Sequence, residues 1–197
     1  METSFEGLID SFMVNKVGLF ENFLSTVLSE NLKNNLLSLY AERHMKAAGI
    51  GSLQNLQLNT EIRSDMIYWL DRSHNNEHEN SFFDFMDGFI RYLNMTCYAG
   101  ITSYEFHYAL YEKGSFYKRH FDQFNGNNAR AYSMIMYLND DWKEGDGGEL
   151  CVYHTGSPQN ISPLNGRCVF FKSNEIDHEV LINQKNRMSV TGWLKVG

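Results

Sequence analysis

Hydrophobic positions change period near the middle of the chain. Phe20, Phe23, Leu24, Val27 and Leu28 recur every three or four residues, the spacing that sets them on one face of a helix. A second helix is expected from about Asn31 through Leu32, Leu36, Leu37, Leu39 and Tyr40, with the glycines of Ala48-Gly49-Ile50-Gly51 available to end it. Leu56, Leu58 and the run 66–70 read as extended chain, and the polar stretch 71–80 (DRSHNNEHEN) as a solvated connection. Phe82, Phe83, Phe85, Met86, Phe89, Ile90 and Leu93 then form a broad apolar stripe that predicts a third helix ending before Gly100.

Beyond Tyr104 the helical period disappears. Short runs of Tyr, Phe, Val and Ile alternate with turns rich in Gly, Asn and Asp, which predicts antiparallel strands near 103–111, 131–138, 148–154, 167–172, 178–182 and 187–194. Helices first and strands afterwards, without βαβ alternation, predict a mainly β fold with N-terminal helices, a jelly roll flanked by helices. One domain over residues 1–197 is expected, with a helical part at 1–100, which the resemblance given below would make a substrate cover, and a β core at 101–197. Neither an internal repeat nor a linker interrupts it.

Composition narrows the function classes. The 197 residues are 43% hydrophobic and 21% charged, enough for a chain of this length to bury about 70% of its unfolded surface. A formal net charge of -7 repels phosphate backbones and anionic headgroups, so neither nucleic acid nor a membrane is an expected partner. The three cysteines are odd in number and widely spaced, which suggests no disulfide framework and fits a reducing, cytoplasmic setting. No secretory leader is expected, and no apolar run approaches the roughly eighteen residues of a membrane span.

Candidate chemistry lies in the β half. His120-Phe121-Asp122 is an H-x-D triplet, and in extended chain residues two apart share a face, so both side chains could reach one metal. The triplet alone is weak, because seven histidines in this acidic composition give about one such triplet by chance. His178 and Arg187 strengthen it: they flank a turn at 183–186, expected to be a hairpin, and could face a common interior. Alternation over 187–194 puts Arg187, Ser189, Thr191 and Trp193 on one face and Met188, Val190, Gly192 and Leu194 on the other. An arginine pointing into a small barrel needs a carboxylate, and its planar fork suits one from a ligand. Two imidazoles and one carboxylate form the facial triad of non-haem iron(II) oxygenases. A divalent iron, one carboxylate, one guanidinium and a bound dicarboxylate would then sum to zero charge.

YEKGSFYKRHFDQF, RAYSMIMYLNDDW, GGELCVY, ISPLNGRCVFF, DHEVL and RMSVTGW, with IRSDMIYWLD upstream, together resemble the hypoxia-factor-type prolyl hydroxylase domains. The resemblance implies a double-stranded β-helix and a dioxygenase that uses iron(II), 2-oxoglutarate and O2, with ascorbate as a possible reductant. It implies hydroxylation of proline in a protein or peptide substrate, with succinate and carbon dioxide as co-products. By motif position, His120, Asp122 and His178 match the iron ligands, Arg187 matches the arginine that grips 2-oxoglutarate, and Tyr137 and Tyr111 match tyrosines that hydrogen-bond it. Arg63 and Asp65 resemble an R-x-D pair of the substrate-covering region, Arg130 and Trp193 resemble residues lining the substrate side, and residues 49–62 would be a mobile cover. Collagen-type relatives carry lysine where Arg187 stands, and related halogenases replace the carboxylate ligand, so Arg187 and Asp122 separate this chain from both. A monomer is expected. Hydroxylation of a small molecule or free amino acid, and a non-catalytic cupin-like sensor of metal and dicarboxylate, are the competing readings. His74 and His78, set among Asn and Glu, read as solvated loop, and Arg63 with Asp65 could equally be a surface ion pair.

Overall fold

The computed structural model describes residues 2–49, 59–123, 129–154 and 156–197. The described helices are α1 (Glu2–Asn15), α2 (Thr26–Ala41) and α3 (Glu77–Thr96), with a 3-10 turn at Arg72–His74. The strands are β1 (Val17–Phe20), β2 (Lys46–Ala47), β3 (Met66–Trp69), β4 (Ile101–Tyr111), β5 (Tyr117–His120), β6 (Arg130–Tyr137), β7 (Leu150–Tyr153), β8 (Gln159–Ile161), β9 (Cys168–Lys172), β10 (Asp177–Val180) and β11 (Arg187–Val196).

Two antiparallel sheets form the sandwich of a double-stranded β-helix. The larger runs β1-β9-β6-β11-β4-β3-β2 and the smaller β5-β10-β7-β8. Strict alternation along β11 divides its side chains between two environments. Met188, Val190 and Leu194 join Phe106, Tyr108, Leu110, Met134, Met136 and Phe170 in the core beneath the helices. Between the sheets a second core joins Ala109, Tyr111, Ile135, Tyr137, Val169 and Phe171 of the larger sheet to Leu150, Val152 and Val180 of the smaller. On the helix side, Phe5, Phe23, Phe85 and Phe89 pack at ring separations of 5.1–5.9 Å. These helices brace the back of the sheet that carries the site.

The N-terminal third departs from the predicted elements. The stripe at 20–28 is no helix of its own: Phe20 ends strand β1, Asn22 takes a left-handed φ of 54°, and Ser25 caps α2 by accepting from the Leu28 amide. The two predicted helices are thus one, α2, which ends at Ala41, before the glycines at 49 and 51. Helix α1 lies outside the predicted elements, although Phe5, Leu8, Ile9 and Phe12 carry the period. The connection at 71–80 is only partly loop, because Asn76 caps α3 by accepting from the amides of His78 and Glu79. His74 is held there by Glu79 at 2.9 Å. Strands β1, β2 and β3 bring the first hundred residues into the larger sheet, while β5 and β8 were not anticipated. Leu56, Leu58 and most of the expected cover at 49–62 lie outside the described residues.

Candidate active site

His120 ends β5, and His178 lies directly opposite it on β10 in the smaller sheet. Asp122 follows two residues beyond His120, off the strand end. The three donate ligand atoms lying within 4.8 Å of one another. His120 Nε2 stands 3.5 Å from one Asp122 oxygen and His178 Nε2 stands 3.8 Å from the other. Each imidazole is oriented from behind: His120 Nδ1 donates to the Lys118 carbonyl at 2.7 Å and His178 Nδ1 to the Ile176 carbonyl at 3.1 Å. A carbonyl only accepts, so Nδ1 carries the proton and the Nε2 lone pairs point inward, as metal ligation requires. Ser133 Oγ donates to Asp122 at 2.7 Å, and Ser173 Oγ lies 2.9 Å from Ser133 Oγ.

The electrostatics agree with a cation site. Burial by itself would raise the Asp122 carboxyl, yet His178, His120 and the Ser133 hydroxyl hold its pKa well below the usual carboxylate range. Burial lowers the pKa of His178, against the pull of Asp122. An ionised carboxylate and a neutral imidazole at neutral pH are the states a divalent ion needs.

Further along the same interior lies Arg187, 1% exposed. Its Nε donates to the Gly148 carbonyl at 2.8 Å, and its guanidinium sits 4.9 Å from the ring centres of both Tyr111 and Tyr137. Among the described residues no carboxylate pairs with it, which leaves a deeply buried cation without a counter-charge. The Tyr137 hydroxyl beside it is also buried without a hydrogen-bond partner of good geometry. Burial raises the pKa of Tyr137 and Tyr111, so both stay protonated and able to donate. One cation and an unpaired phenol in the interior between the sheets fit a dicarboxylate that would reach from the metal to Arg187. Gly148 makes room for this arrangement, since its φ is +70° and a Cβ there would meet Asn183 Cβ at 2.9 Å and Arg187 Cδ at 3.1 Å.

The predicted hairpin between His178 and Arg187 does not form. β10 pairs with β5 and β7, whereas β11 pairs with β4 and β6, so the intervening turn crosses from one sheet to the other. The two residues share an interior because their sheets face each other.

At the other end of the β11 inner face, Trp193 stacks on His107 at 5.5 Å and 29°, and Trp69 of β3 lies 5.0 Å from His107. The Arg130 guanidinium covers the Trp193 ring at 3.5 Å and bonds Glu105 at 2.8 and 2.7 Å. Trp69 is 41% exposed, which places an aromatic edge at the rim. Arg63 and Asp65 are not a surface pair: two bonds of 2.8 and 2.6 Å join them, Asp65 is 1% exposed, and Arg63 lies 4.3 Å over the Tyr117 ring.

Sequence reasoning missed Ser133, His107, Trp69 and Tyr117 as members of this interior. Alternation would have found the first two, because Ser133 shares a face with Tyr137, and His107 with Tyr111. Trp69 follows from the register that sets it opposite His107. Tyr117 had no such signal.

Residues 106–195 match the 2OG-Fe(II) oxygenase superfamily. A prolyl-4-hydroxylase from Pseudomonas putida superposes with a TM-score of 0.87 at 29% identity, over 98% of this chain and 99% of that one. A Trichoplax adhaerens prolyl hydroxylase, solved in complex with a peptide fragment of the oxygen degradation domain of hypoxia inducible factor, gives 0.85 at 25% identity, over 98% and 90%. Prolyl 3-hydroxylase OGFOD1 of Xenopus laevis is 33% identical over 85 residues, a stretch that spans 38% of this chain and 16% of that relative's length. Triad, buried arginine and fold agree with that match: residues 106–195 form a domain similar to the 2OG-Fe(II) oxygenase superfamily, which supports an iron(II)- and 2-oxoglutarate-dependent dioxygenase, and the chain is similar in fold and sequence to the prolyl hydroxylases.

Proposed function

We propose that the enzyme hydroxylates prolyl residues in a protein or peptide, releasing succinate and carbon dioxide. The observation that carries this reading is the rim of the interior. There Trp193, His107 and the exposed edge of Trp69 form an aromatic wall of the kind on which proline rings dock, beside the triad. The likeness to the two prolyl hydroxylases over 98% of the chain supports it, one of them being bound to a peptide.

Roles then follow residue by residue. His120, Asp122 and His178 hold iron(II), which when bound supplies the oxidising chemistry. Arg187 takes the distal carboxylate of 2-oxoglutarate in a fork, while Tyr137 and Tyr111 donate to its oxygens and Ser133 orients Asp122. The second core, with Ile135, Val169 and Phe171 around the site, excludes water from the reacting atoms. Arg130 and Trp193 line the substrate side, and Arg63 with Asp65 flank it. No general base is asked of the protein. The reading includes a monomer, a cytoplasmic setting suited to the free Cys97, Cys151 and Cys168, and ascorbate as external reductant. Among the described residues no helix is long and apolar enough to cross a membrane.

The test is aerobic incubation of the iron-loaded enzyme and 2-oxoglutarate with an array of proline-centred peptides, read by mass spectrometry. One oxygen atom gained on proline in a subset of peptides is expected. Hydroxylation of free proline with every peptide untouched would overturn the reading in favour of a small-molecule enzyme.

A further inference from the structure

Tyr117 and His120 are three residues apart, so in regular strand they would point to opposite faces. Here they do not. His178 pairs with His120 while Val180 pairs with Tyr117, so two steps along β10 match three along β5. The extra residue is a bulge, a device that re-aims side chains beside active sites. It turns the Tyr117 ring onto the His120 imidazole at 3.6 Å and 18°, nearly parallel. The hydrogen bond from His120 Nδ1 to the Lys118 carbonyl closes across the same bulge.

The opposite face of Tyr117 is covered as well. Arg63 lies 4.3 Å over it, and Asp65 grips that guanidinium in two bonds. The segment carrying both residues is itself tied to β5: Lys118 N donates to the Ile62 carbonyl at 2.8 Å, Ser64 N to the Phe116 carbonyl at 3.2 Å, and Arg63 bridges Tyr117. A guanidinium, a phenol ring and an imidazole thus form one continuous stack from the covering segment to the triad.

We infer that Tyr117 is a positioning residue for the metal centre, and that through it the Arg63–Asp65 pair couples the 59–65 segment to metal binding. The inference rests on His120 being a metal ligand. Freed from the stack, the imidazole swings about its side-chain torsions and loses the orientation that ligation requires. Because coupling free energies are reciprocal, metal in turn steadies the 59–65 segment.

Anaerobic titration of the full chain with Co(II) and with Fe(II), followed by absorbance, tests this without any substrate. His120→Ala should weaken binding at least 100-fold, Tyr117→Leu about 10-fold with an altered cobalt ligand-field spectrum, and Arg63→Lys about 3-fold, while Tyr117→Phe stays within about 3-fold. Hydrogen exchange on the wild-type protein, with and without Co(II), should slow in 59–65 as well as in 117–122 and 176–180. Wild-type affinity and spectrum in Tyr117→Leu would overturn the inference while leaving the metal reading intact. Exchange that slows only at 117–122 and 176–180 would overturn the coupling, and this arm decides the matter even if Tyr117→Leu fails to fold. Wild-type protein that binds no better than His120→Ala would instead remove the metal reading, and the inference with it.

Discussion

The two faces of the larger sheet carry the same strands and opposite chemistry. Behind it, Met188, Val190, Leu194, Met134, Met136 and Phe170 meet the phenylalanines of the helices in a hydrocarbon core. In front, Arg187, Ser189, Thr191, Trp193, His107, Ser133 and Tyr137 alternate with them, residue for residue. A step of one residue separates a group that stabilises the fold from a group that is costly to bury. Behind the sheet apolar side chains predominate, whereas the front mixes the apolar Ile135, Val169 and Phe171 with, among the described residues, an arginine without a counter-charge and polar atoms without partners. If this division is right, damage behind the sheet should read out in folding and damage in front should read out in ligand binding.

The largest effect should come from the back. Phe89→Ala removes a fully buried ring that packs on Phe5, Phe23 and Phe170, and should cost about 3–5 kcal/mol in urea unfolding while leaving the ligand set untouched. In front, Asp122→Ala should leave a folded protein whose Fe(II) affinity drops by at least about 100-fold, measured by anaerobic titration; a variant that instead unfolds breaks the comparison. Arg187→Leu removes the buried cation, so 2-oxoglutarate should bind about 100-fold more weakly in calorimetry, and the loss of an unpaired charge should leave stability equal or higher.

The smallest effect is one of pH. Burial, with help from Arg63, lowers His107 from 6.5 to about 4. As pH falls the unfolded chain takes this proton first, so the stability contribution is whole above about 6.5 and is lost as pH drops towards 4. By pH 5 the loss should reach about 2 kcal/mol, and His107→Phe should remove that part of the pH dependence in paired urea curves at pH 7 and pH 5.

Much of this division could be read from sequence. Alternation over 187–194 separates Arg187 and Trp193 from Met188, Val190 and Leu194 in the sequence alone, because a period of two is a local property of extended chain. His120, Asp122 and His178 were legible as a ligand set from residue type and motif. What stayed hidden was non-local. The chain between His178 and Arg187 crosses from sheet to sheet, which turn residues alone do not distinguish from a hairpin. Tyr117 reaches His120 only through a bulge, and a bulge is set by the pairing partner as much as by the strand that carries it. The N-terminal boundaries failed for a simpler reason: Phe20 and Phe23 keep a helical spacing by coincidence, while the left-handed Asn22 between them prevents the helix.

The central claim is that the interior between the two sheets holds iron(II) and 2-oxoglutarate together, the triad on the side of the smaller sheet and Arg187 on that of the larger. Its most direct test is anaerobic addition of Fe(II) and 2-oxoglutarate to the metal-free protein, watching for the visible charge-transfer band of the chelated pair. The account predicts a band that His178→Ala abolishes and Arg187→Leu weakens. A folded, metal-loaded protein that gives no band, or one indifferent to both substitutions, would contradict it.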